Sequence, residues 1–286
     1  MEFAQPAFDW IVRLFSVHIW SFLNSSFGAA SLASAAGAYF GATAAQKVIL
    51  KSKRKEALET ELRNVNSAIM AAFTTANMAL TVKKQLIKPI YDQFKTDLER
   101  FEGFEEKRKT NSLSSGETFH FIADLQDFDT PPFPIQILNH TLFNAVDTES
   151  RALSAAAFLE ASFSGLKNMM NKRRLLIDQF RVSQLSGEKF AYYYFGLEMP
   201  SGDRQKEYSD AIDGIMSYIN DVIFFSKTIA EDLEVYGKKL RDQEKLIPST
   251  YSIRHADFSS PEEQGLMPET ENYLSWLSGF IKSPKS

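Results

Sequence analysis

The residues of this chain that could carry chemistry are few and scattered. Its four histidines are His18, His120, His140 and His255. None belongs to an H-E-x-x-H pair, in which two imidazoles one helical turn apart grip a metal. Asp124, Asp127 and Asp129, in ADLQDFD, supply the oxygen ligands that Ca²⁺ or Mg²⁺ prefers. Their spacing fits no EF-hand loop, so the reading is a solvated loop. Asp210 and Asp213 lie three apart on a predicted helix, a common surface pairing. No G-x-x-x-x-G-K-[ST] loop, G-x-G-x-x-G turn or G-x-S-x-G elbow occurs, so phosphate cradling and triad chemistry lack their usual scaffolds. There is no cysteine, which removes disulfides, thiolate metal sites and a cysteine nucleophile. No catalytic residue, metal or cofactor is expected, and the chain reads as a non-enzyme.

Charge and composition point the same way. The net charge is −4 over 286 residues, with no basic excess of the kind a nucleic-acid partner requires. The hydrophobic fraction, 44%, is enough to build a core, and 24 phenylalanines make that core aromatic.

The most informative stretch is the N-terminal one. From Leu14 to Gln46 there is no Asp, Glu, Lys or Arg. As one helix these roughly 33 residues would extend about 50 Å, beyond a ~30 Å hydrocarbon layer. The expected division is an interfacial or outer segment at 1–19 and a transmembrane helix at 20–45. Trp10 and Trp20 suit the membrane–water boundary. Lys47, Lys51, Lys53, Arg54 and Lys55 follow before the first acid, Glu56. That asymmetry places the N-terminus outside and the C-terminus in the cytoplasm, with the basic run at anionic lipid headgroups. Two other readings are a buried helix of a soluble protein and a signal peptide cleaved after Ala33-Ser34-Ala35. The second conflicts with the acidic, not basic, start of the chain.

Small residues recur every fourth position, at Ala29, Ala33, Gly37, Gly41 and Ala45. Such ladders let two helices approach closely in lipid, so a homo-oligomer built through the span is expected. Ser31, Ser34 and Thr43 could add hydrogen bonds between helices.

The predicted fold is all-α: this single transmembrane helix, then a cytosolic antiparallel bundle of long helices, with room for one short β-hairpin. A juxtamembrane helix at 46–109 carries a seam at Leu58, Leu62, Val65, Ile69, Ala72, Ala76 and Ala79, spaced four and three like coiled-coil heptads. Pro89 should kink it. Residues 110–147 read as a loop-rich connection in which prolines 131, 132 and 134 forbid regular helix. FHFIADL and KFAYYYFG could pair as the hairpin. A helical region at 148–248 holds two long helices. One has its stripe at Leu159, Phe163, Leu166, Met170, Ile177 and Phe180, with Arg173 as an interruption. The other has its stripe at Ile212, Ile215, Ile219, Val222, Ile229, Leu233, Tyr236 and Leu240, broken by Ser226. The NKRR run (Asn171 to Arg174) reads as a solvated face. Residues 249–286 read as an acidic linker and a short aromatic amphipathic helix.

The functional expectation is a single-pass membrane protein that self-associates through its span and presents a cytosolic module to an unidentified protein partner. An alternative is a membrane-disrupting effector whose spans assemble into a leak. A third is an enzyme with an unrecognised site in the bundle.

Overall fold

A computed structural model of the chain describes residues 25–280 apart from 149, 184, 244, 245 and 249, and describes only the backbone at 27–29, 32 and 243. It falls into two compact units, Met1–Glu59 and Thr60–Ser286. Trp10, Trp20, His18 and the segment 1–19 lie outside the described residues.

Helix α1 spans Ser26–Val82, 57 residues without interruption. Nothing in its sequence stops it: alanine, the best helix former, recurs throughout, and the first proline after it is Pro89. Within the first unit its residues from Ala33 to Ala57 are exposed apart from half-buried Thr43. Its continuation in the second unit is different. Leu62, Val65, Ile69, Ala72, Ala76 and Ala79 are fully buried, so the predicted seam from Leu62 onward is the face that makes the core, while Leu58, still in the first unit, is 5% exposed.

Pro89 does not break the helix where a kink was expected. The chain instead widens into a π-helical turn, Lys83–Ile87, and resumes as α2, Lys88–Lys109, with the proline in its first turn. Proline lacks an N–H and its ring crowds the carbonyl four residues back. A wider turn relieves both conflicts.

Two further long helices complete the frame: α4, Ser150–Val182, and α6, Glu207–Gln243. They run antiparallel, tied by Arg151 with Asp232 near one end and by Gly165 against Tyr218 farther along. A Cβ at Gly165 would lie 2.5 Å from the Tyr218 ring, so any larger residue there would have to displace that ring. The α1–α2 rod is also antiparallel to α6: Tyr236 donates to Glu61, Gly237 abuts Val65, and Lys95 pairs with Asp213 at 2.7 Å.

The stretch expected to be loop-rich does contain a helix, α3, Ile135–Ala145, starting directly after Pro134. Before it, residues 117–133 run extended beside α4, with Leu125 near Arg181, Thr130 at Met170 and Phe133 on Phe163. There is no β-hairpin: the described residues contain no strand, only an isolated bridge between Glu198 and Arg204. Gly187–Phe195 is helix α5, capped by Ser186, which accepts from the Lys189 N–H, and closed by Gly196 in the left-handed conformation. Ala191 to Phe195 are all buried, an unbroken apolar run that mimics a strand because it has no helical period. The two expected partners do meet, since Phe121 packs on Phe190, Tyr194 and Phe195, but as extended chain on helix.

The tail is not a linker. It carries α7, Ser259–Glu263, a 3₁₀ turn at Thr270–Tyr273 and α8, Leu274–Ser278. Phe258, Leu266 and Tyr273 are buried in the main core. Tyr273 stacks on Phe224 of α6 at 3.7 Å, and Trp276 packs on Phe225. The aromatic C-terminal segment therefore docks on its own body.

Candidate membrane-attachment segment

The exposed part of α1 is the segment that sequence alone singled out. Tyr39, Phe40, Val48, Ile49 and Leu50 are more than half exposed. Ala33, Gly37, Gly41 and Ala45 are exposed too, and a Cβ at either glycine would meet nothing within 4 Å. Ala29 is helical. A four-residue repeat advances about 40° per step on a 3.6-residue helix, so the ladder winds around the rod. Gly37 and Gly41 form its middle, the stretch over which one face is held.

Thr43 donates its hydroxyl back to the carbonyls of Tyr39 and Phe40, both at 3.0 Å. The hydroxyl is thus satisfied inside its own helix, which makes it compatible with an apolar surrounding but unavailable as a ready donor to a neighbour. Lys47, Lys51, Lys53, Arg54 and Lys55 are all exposed, and Lys55 pairs with Glu59 at 3.7 Å. Lys47, Lys51 and Lys55 follow one another at single-turn spacing, giving a basic stripe directly after the uncharged run.

By length and composition one helical stretch, Ala33–Lys109, is apolar enough to cross a membrane. Half of its most apolar window is buried inside the protein. Ala33 to Ala57 are all exposed or half-buried, so that window lies farther on, in the part of α1 that forms the core. A core helix passes this test as readily as a span does. What sets the exposed segment apart from that core window is its lack of cover among the described residues.

The remaining sequence candidates do not converge. Asp124 caps a turn by accepting from the Gln126 N–H at 2.9 Å, while Asp127 and Asp129 are exposed. Among the described residues no group of three or more His, Asp or Glu could hold a metal. His255 pairs with Glu234 at 2.8 Å, and Asp213 is taken by Lys95.

The sequence reading missed the buried charges. Arg173, assigned there to a solvated face, is 2% exposed. It donates to the carbonyls of Gln126 at 2.6 Å and Asp124 at 3.0 Å, and lies over the Phe128 and Tyr208 rings. Tyr208 donates to the same Asp124 carbonyl, and the Asp124 N–H donates to Tyr194. The arginine thus bolts the extended connection to α4. Burial pushes both tyrosines above their ordinary pKa. Lys83, in the π-turn, is buried and donates to the Leu266 carbonyl at 2.6 Å, fastening the tail. Burial, reinforced by Lys88, lowers its pKa to about 8. The signal was present: Arg173 continues the stripe of Leu166 and Met170, and a charge in register with an apolar stripe is a buried charge.

No protein-family model, curated protein or solved structure matches this chain.

Proposed function

We propose that the protein is attached to a membrane by the first part of α1 and acts through its helical body as a non-enzymatic interaction module. The carrying observation is that the uncharged stretch of α1 from Ala33 to Gln46, with Tyr39 and Phe40 exposed, is left uncovered among the described residues. In water such a helix gains no tertiary burial and is marginal on propensity alone. In a bilayer its backbone is already satisfied and its apolar side chains are solvated by lipid. The following Lys47, Lys51, Lys53, Arg54 and Lys55 would then contact anionic headgroups on the cytoplasmic side, leaving the N-terminus outside. Gly37 and Gly41 would provide the close contact through which copies associate. The body would be cytosolic and receive a protein partner.

The test is carbonate extraction of the full-length chain, with a reporter fused after Ser286. Retention in the membrane pellet with a cytosolic reporter is expected. Release of full-length protein into the supernatant would overturn the reading. Gly37→Leu with Gly41→Leu should preserve retention and weaken self-association in a membrane two-hybrid assay.

A further inference from the structure

The segment after α6 crosses the body with little secondary structure of its own. Its helical pieces are single turns of five, four and five residues, α7, the 3₁₀ turn and α8. Among the described residues its backbone-to-backbone hydrogen bonds are local, as from the Leu266 N–H to the Pro261 carbonyl. Side chains hold it to the body instead. Asn66 of α1 clamps its start, donating to the Ser252 carbonyl at 3.0 Å and accepting the Arg254 N–H at 2.8 Å. Phe258 packs on Phe73, and Lys83 reaches the Leu266 carbonyl. Farther on, Tyr273 donates to Asp221 of α6 at 2.9 Å, and Trp276 packs on Phe158 of α4. From 251 to 280 only Ala256, Phe258, Leu266 and Tyr273 are buried, against the continuous buried stripe of α6.

The closed position of this segment also removes polar groups from water at a cost. The Lys83 ammonium is buried against a neutral carbonyl and is repelled by Lys88. Asp221 is half-buried, and burial holds its carboxyl above the ordinary range although Tyr273 donates to it. The indole Nε1 of Trp276 is buried with no acceptor among the described residues. All three groups would be rehydrated if the segment lifted, which offsets part of the apolar contact that lifting gives up. A segment with few buried apolar residues and no hydrogen-bonded ladder to its neighbours belongs to the low-stability end of a fold.

We infer that residues 251–280 are a strap that opens and closes as one unit on a body that stays folded, and that the closed strap covers an aromatic face of α6 and α4. Opening separates none of the long helices, which hold one another directly through Tyr236 with Glu61 and Arg151 with Asp232. It uncovers Phe224 and Phe225, frees Phe158 and exposes Lys83. In the closed form Tyr273 and Trp276 of the strap itself occupy those rings. The device lies in the body alone and is independent of membrane attachment.

Amide hydrogen exchange of the full-length protein in detergent tests this at three points along the strap. The N–H groups of Arg254, Leu266 and Gly279 are hydrogen-bonded in the closed form. They should share one opening, reached at least about a hundredfold more often than that of the α6 amides between Ile215 and Leu233. Tyr273→Phe takes the donor from Asp221 and keeps the ring on Phe224. It should speed exchange about tenfold at all three points and leave α6 unchanged. Phe258→Ala, nearer the other end of the strap, should produce the same pattern. Acetylation by an amine-reactive ester, followed by mass spectrometry, reads the uncovered groove. Lys83 should react far more slowly than its exposed neighbour Lys84, and Tyr273→Phe should speed Lys83 alone. Strap exchange at the rate of α6, or a Tyr273→Phe effect confined to its own turn, would overturn the inference. So would acetylation of Lys83 that Tyr273→Phe leaves unchanged.

Discussion

Helix α1 contains the same kind of sequence twice, with opposite outcomes. Residues 33–45 and 65–82 are both rich in alanine and free of acidic and basic side chains. In the second stretch Ala68, Ala72, Ala76 and Ala79 are fully buried; in the first, Ala33, Ala38, Ala42 and Ala45 are exposed. The difference is not how apolar they are, since the more apolar window is the buried one. It lies in what occupies the other faces. The buried stretch alternates its seam with Ser67, Thr74 and Thr81, all exposed, which define an outside. The exposed stretch has no polar face beyond small hydroxyls, so it has no outside to show to water. A helix with one apolar stripe packs that stripe on a protein core, and one without a polar side is covered all round, by protein or, as proposed for this stretch, by lipid.

This contrast can be broken from the body side first. Arg173→Met removes the donors to the Gln126 and Asp124 carbonyls while roughly filling the space. The Gln126 carbonyl then loses its donor while Asp124 keeps only that of Tyr208, which should cost about 1–3 kcal/mol, read as a lower urea midpoint, with membrane retention unchanged. Ala72→Leu overfills a site with no exposure and should destabilise the body by about 1–3 kcal/mol. Gly41→Leu, in the exposed stretch, meets nothing and should change the body's stability by less than about 0.5 kcal/mol. Equal effects of Ala72→Leu and Gly41→Leu would erase the distinction between the two stretches.

The body also carries a pH dependence. The Lys83 ammonium loses its proton near pH 8 in the folded chain, whereas an ordinary lysine holds it to 10.5. Between those values the unfolded chain binds more protons, so stability rises as pH rises from about 8. Tyrosine reverses the trend from about pH 10. Tyr192 in the folded chain keeps its proton to about 12, and Tyr194 and Tyr273 keep theirs longer, while the unfolded chain releases them. Melting temperature against pH should therefore pass through a maximum near pH 10. Lys83→Met should remove the rise and leave the fall.

The seam from Leu58 to Ala79 and the stripe of α6 were legible because their four-and-three spacing is dense and their polar residues fall between. Helix α5 was illegible because five successive buried residues, Ala191 to Phe195, carry no period. The tail looked like a linker because extended chain buries isolated residues, Phe258 or Leu266, where a helix buries a series. Its fastening by Lys83 was hidden for a related reason. Lys83 and Leu266 lie far apart along the chain and only the fold brings them together.

The absence of cysteine makes the most direct measurement clean. An environment-sensitive fluorophore attached at Ala38→Cys, and separately at Thr60→Cys, in protein reconstituted into vesicles reports which position meets lipid. Both positions are exposed on α1. Insertion of the first part of α1 requires blue-shifted emission, quenched by lipid-borne quenchers, at position 38, and emission quenched only by aqueous iodide at position 60. Aqueous emission at both positions, with iodide quenching position 38 as fully as position 60, would contradict it.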